Sequence, residues 1–209
     1  MFKRRCLTFL LFLICLCLNA AASLKNNKDF IGILKISDQN LQERRLVRCI
    51  LSFYESEPVD NLAKSKQEMD ELFTQYKVVN RLALNDFINY TYNQRILRLD
   101  EAEKALVKAI QQASRTKDFY LLYAFYNELG FLQTYRGSTS DALYSFSMAK
   151  KQAIAVDSAS YQVIVDINLS DIFYKNNFYK QSLFYLEQAQ SIYQKRAVQT
   201  PRLINIIYI

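Results

Sequence analysis

Histidine and tryptophan are absent from the 209 residues, and there are only three glycines and two prolines. Without histidine, neither Ser-His-Asp nor Cys-His catalysis can be assembled, and the usual zinc sites lose their commonest ligand. Glycines at 32, 130 and 137 alone supply neither a phosphate-cradling loop nor a dinucleotide fingerprint. Of four cysteines, Cys6, Cys15 and Cys17 fall in the first 17 residues, which leaves Cys49 without an intramolecular disulfide partner beyond them. Cys49 lies between Leu46-Val47-Arg48 and Ile50-Leu51, an apolar helical setting that suits an inert buried thiol better than a nucleophile. Paired carboxylates could still serve as general acid and base. The acids present have plainer explanations: Asp100, Glu101 and Glu103 begin a helix, where the dipole favours them, and Glu68, Asp70 and Glu71 read as a solvated helix face. The expectation is a chain that is not an enzyme and carries no cofactor and no metal.

The first 22 residues have the layout of a secretory signal: Lys3, Arg4 and Arg5, an apolar run from Leu10 to Leu18, then Ala20-Ala21-Ala22 before Ser23. The competing reading is an uncleaved anchor, but the stretch from Cys6 to Leu18 falls short of the roughly 20 apolar residues that span a bilayer. Ile14 and Leu16 precede Cys15 and Cys17, where a lipid-attachment box would have a small residue. The expected location is outside the cytoplasm, in the periplasm or cell envelope. Removing three basic residues leaves a charge of 27 − 3 − 20 = +4, which gives no reason to expect nucleic acid as a partner. Any membrane contact is expected only through the signal or through a span downstream of Ile209.

The remainder is organised around Tyr123 to Ala155. Apolar residues recur at helical spacing in two runs, broken by Arg136-Gly137-Ser138-Thr139. Gly137 is placed to end the first helix in the left-handed conformation, and Ser138 or Ser140 to cap the second. The same pattern recurs 40 residues away on either side: Ala102, Ala142 and Ser182; Leu106, Phe146 and Leu186; Ala109, Ala149 and Ala189. Small residues let helices approach while the large one fills the gap, so this triplet is a packing device repeated along the chain.

Leu129-Gly130 followed by Ala142, Phe146 and Ala149 resembles the tetratricopeptide repeat family, with Tyr126 where that family often has Trp. The period of 40 departs from the family's roughly 34, the helix-ending Pro is missing, and Leu169-Ser170 replaces Leu-Gly in the third copy. HEAT-type arrays, at roughly 40 to 47 residues, are the alternative. The fold class expected is all-α, a right-handed superhelical solenoid of antiparallel helix hairpins. Residues 23–77 form an N-terminal cap or degenerate repeat, because the template shifted back again meets Leu62, Lys66 and Met69 and fails. Leu24 to Lys28 is expected to be a flexible lead. Three repeats follow at about 78–117, 118–157 and 158–199, the last turning through Lys175-Asn176-Asn177, where asparagine tolerates left-handed angles. From Thr200-Pro201, RLINIIYI begins a further helix. It reads either as a minimal cap or as the start of an interrupted repeat, the second being preferred because two turns are marginal alone.

The resemblance implies a groove lined by the first helix of each hairpin: Phe87, Thr91, Gln94 and Arg95; Asn127, Phe131, Thr134 and Tyr135; Ile167, Asp171, Tyr174 and Lys175. Aromatic and amide side chains suit a protein or peptide ligand. Core packing is the plainer explanation for repeat aromatics. The basic clamp that holds a C-terminal carboxylate is not matched. The layout also resembles the exported sensory region of Bacteroidetes-type envelope regulators, which implies a signalling role. A free-standing periplasmic scaffold or assembly factor is the alternative, and a carboxylate-dependent envelope hydrolase a weaker one.

Overall fold

The computed structural model describes residues 24–196; the signal-like segment and residues 200–209 lie outside them. All regular structure among the described residues is helical, with no strand. A 3-10 turn, Leu24–Asn26, precedes nine α-helices: α1 Lys28–Leu34, α2 Gln39–Ser56, α3 Val59–Gln75, α4 Arg81–Arg95, α5 Leu99–Thr116, α6 Phe119–Tyr135, α7 Thr139–Ala155, α8 Ala159–Lys175 and α9 Tyr179–Lys195. They form two compact units, divided within α5 between Ala105 and Leu106.

Local chemistry accounts for the starts. Asn27 caps α1 by accepting from the backbone N–H groups of Asp29 and Phe30. Asp38 and Asp118 do the same for α2 and α6 through Leu41 and Leu121, and Ser158 serves α8 through Tyr161. Pro58, at φ −57°, leads into α3. Ser138 occupies the capping position of α7 without a side-chain bond; its carbonyl accepts from Ala142 instead.

The ends follow one rule. Residues 77, 97, 117, 137, 157 and 177, each twenty after the one before, have positive φ, and Gly137 and Asn177 are the two anticipated from sequence. At each, the next backbone N–H donates to the carbonyl five residues earlier, from Val78 to Phe73 through Phe178 to Phe173, at 2.8–3.1 Å. These are Schellman ends, which satisfy carbonyls the helix leaves open.

In the N-terminal unit α1 packs on α2, and α4 packs on both α2 and α3. Its core holds Phe30, Leu46, Ile50, Tyr54, Leu62, Met69 and Phe73. The expected flexible lead is instead built in: Leu24 is buried, and its N–H donates to Glu68 Oε2 at 2.8 Å. The sequence reading missed this because a polar run flanks a single apolar anchor. Leu41, in the first turn of α2, is exposed.

In the C-terminal unit α6 packs on α7, α7 on α8, and α8 on α9. Ala142, Phe146 and Ala149 of α7 are buried, and a Cβ added to Gly130 would lie 2.8 Å from the Phe146 ring. Close approach therefore requires glycine at 130. In the next pair Ser170 and Ser182 stand at the places of Gly130 and Ala142, joined Oγ to Oγ at 2.8 Å, and the smaller Leu186 replaces Phe146.

Candidate functional site

The groove positions expected from sequence divide between the two units. On α4, Phe87 is fully buried against the Tyr90 ring, and Thr91 is buried with its hydroxyl donating to the Ile88 carbonyl. Arg95 donates through Nε to the Tyr54 carbonyl at 2.8 Å and through a terminal nitrogen to the Glu57 carbonyl at 3.4 Å, closing the end of α2. Gln94 is exposed. On this helix the four positions therefore serve the core, a helix end and the solvent, and do not share a surface.

On α6 and α8 the outcome differs. The two helices meet first through a buried aromatic group, with Tyr123 stacked on Tyr161 at 4.3 Å between centroids and Tyr120 at 5.7 Å from Tyr161. Midway, Asn168 donates to Asn127 Oδ1 at 2.9 Å. Toward the C-terminal ends the side chains emerge: Phe131 is 45% exposed, Tyr135 73% and Tyr174 62%. Phe131 keeps one edge on Phe146, at 5.3 Å, and Tyr174 packs edge-on against Tyr179. Thr134 bonds within its own helix to Gly130, Asp171 pairs with Lys175 at 2.6 Å one turn on, and Ile167 packs against Val163 and Ala189. Asn127 therefore meets α8, Phe131 leans on α7, Tyr174 leans on α9 and Tyr135 is exposed at the end of α6, while Ile167 belongs to the core.

The same unit holds a buried charge. Asp166 of α8 is fully buried and accepts from Lys150 Nζ of α7 at 2.5 Å; its other oxygen has no hydrogen-bond partner among the described residues. Burial raises its pKa, and the bond and charge of Lys150 offset this only in part. Lys150 also stands 5.4 Å from the Tyr185 ring centre, tying α9 to the pair.

Sequence reasoning missed a cleft of about 410 Å³ between α3 and α4, walled by Lys66, Gln67 and Asp70 on one side and Asn85, Asn89 and Tyr92 on the other. Ala63 and Ile88 complete the lining. Asn85 donates to Asp70 Oδ1, while Asn85 Oδ1 is buried without a hydrogen-bond partner. Lys66 Nζ lies 5.8 Å from the Tyr92 ring centre. The available signal was the failure of the packing template at Lys66, forty residues before Leu106.

No group of three or more metal-ligating side chains occurs among the described residues, and no helix there is long and apolar enough to cross a membrane. Cys49 is half-buried, and burial, with the nearby Asp29 charge, pushes its thiol up to about 11, so it is protonated at neutral pH. No protein-family model matches the chain, and no curated protein matches it.

Proposed function

We propose that the chain is an exported, tetratricopeptide-like solenoid that binds a protein or peptide and performs no chemistry. In this reading it is the periplasmic sensory part of a signalling or transcription-regulating envelope protein. The even spacing of the helix ends and the equal lengths of α6 to α9, each 17 residues, support a hairpin array. The signalling role rests on the resemblance in layout.

One observation carries the binding role: Phe131 and Tyr135 near the end of α6 and Tyr174 near the end of α8 are exposed, on the first helices of adjacent hairpins that the Asn127–Asn168 bond joins. Rings fixed on helices offer contact area at little entropic cost, and neighbouring amides can meet a peptide backbone. The test is to select binders from a displayed random peptide library and measure their affinity for the protein and its variants. Tyr135→Ala and Tyr174→Ala should each weaken selected peptides at least about tenfold. Unchanged affinity in both variants would remove the groove from the account.

A further inference from the structure

We infer that the α3–α4 cleft is a second binding site, built for a small, neutral, polyhydroxylated ligand of the sugar type. It lies entirely in the N-terminal unit and does not depend on the peptide-binding reading.

The walls carry too many polar groups for an apolar ligand. Six polar side chains face about 410 Å³, with only Ala63 and Ile88 as apolar lining, whereas sites for apolar small molecules are lined mainly by hydrophobic and aromatic groups. The charges in the wall cancel. Lys66 and Asp70 each contribute one, so a cationic ligand meets Lys66 and an anionic one meets Asp70.

Hydrogen bonding narrows the choice further. Asn85 donates to Asp70 Oδ1 and so fixes that carboxylate in the wall, its own Oδ1 being enclosed, and a carboxylate so held accepts from a ligand's donor. Gln67, which also lines the cleft, donates to Glu71 at 3.1 Å and keeps its carbonyl oxygen as an acceptor. Lys66, Asn89 and Tyr92 supply donors in the same small volume. A hydroxyl group both donates and accepts at one atom, so a ring bearing several hydroxyls matches this mixture in compact form. A peptide backbone offers one donor and one acceptor only every ~3.3 Å and matches it poorly.

The test is a titration of the isotopically labelled protein, followed by backbone amide resonances. The probes are glucose, galactose, mannose, maltose and lactose, with trialanine and N-acetyl-arginine amide as competing chemistries. At least one sugar should give saturable shifts in α3 and α4, and the disaccharides separate a free monosaccharide from the end of a glycan. Asn85→Leu should weaken that binding at least about tenfold by releasing Asp70 from its place in the wall. Asn89→Ala should weaken it several-fold and keeps the test decisive if Asn85→Leu unfolds. Tyr135→Ala should leave it unchanged, which separates this site from the exposed rings of α6 and α8. The inference is overturned if no sugar shifts these amides, if both asparagine variants bind as the parent does, or if only trialanine or the arginine amide binds.

Discussion

The two units solve the same packing problem differently. In the C-terminal unit, small residues at Ala142, Ala149 and Ala189 and a glycine at 130 let helices of one length stack at one spacing. Buried polar groups there pair on facing helices, as in Ser145 with Gln133 and Ser170 with Ser182. In the N-terminal unit helix lengths vary from 7 to 18 residues, and individual side chains do the joining. Buried Glu43 accepts from Asn80 at 2.8 Å, Arg95 closes α2, and Glu68 receives the N–H of Leu24. Where Lys66 stands in place of a large apolar residue, a polar cleft opens. The irregular packing of the N-terminal unit leaves a cleft between α3 and α4.

The largest effect expected on the regular side is from Phe146→Ala, which empties the space against Gly130 and Phe131 and should cost ~3–5 kcal/mol in chemical denaturation. A loss below ~1 kcal/mol would mean that the repeated large residue does not hold the pair.

Lys150→Met should cost ~3 kcal/mol near neutral pH, because it leaves the Asp166 charge buried and uncompensated. The sign of the pH dependence follows from the raised pKa of Asp166. An acid that binds its proton more tightly when folded destabilises the fold while ionised, and is relieved as pH falls from its folded pKa toward the ordinary 3.8. The deficit of Lys150→Met should therefore shrink on acidification through that window, as read from denaturation midpoints. Lys150→Met combined with Asp166→Leu should recover most of the loss.

Gly130→Ala places a methyl group against the Phe146 ring and should cost ~1–2 kcal/mol net of its gain in helix propensity. Adding Phe146→Leu, the partner found opposite Ser170, should recover part of it. Failure of that rescue would separate the two hairpins in mechanism.

The smallest effect concerns the ends that both units share. Leu97 is exposed at φ 60° and its side chain is mostly in solvent, so Leu97→Gly should raise stability by ~0.5–1 kcal/mol. Gly137→Leu should lower it by a similar amount. Equal and opposite shifts would show that the turns are interchangeable across the boundary between the units.

Legibility in the sequence follows the same division. The triplets at 102, 142 and 182 and their partners exposed α5, α7 and α9, because close helix approach restricts side-chain size at fixed intervals. Gly137 and Asn177 marked two turns, while Lys77, Leu97, Lys117 and Asp157 carried no such mark, since their left-handed angles are imposed by the Schellman bonds. On α6 and α8, Tyr135 and Tyr174 of the expected groove are exposed. On α4 the groove positions landed on Phe87, Thr91 and Arg95, which this unit uses for its own core and for α2. The cleft was illegible because it depends on Asp70 and Asn85 meeting across two helices.

The most direct test of the account sets two equally exposed tyrosines against each other. Tyr144 on α7 and Tyr174 on α8 are both 62% exposed, but only Tyr174 stands on the first helix of a hairpin. Against one peptide selected on the parent protein, Tyr174→Ala should lose affinity at least about tenfold while Tyr144→Ala binds as the parent does. Equal losses, or a loss confined to Tyr144→Ala, would contradict the claim that the first helices of the hairpins carry the binding surface.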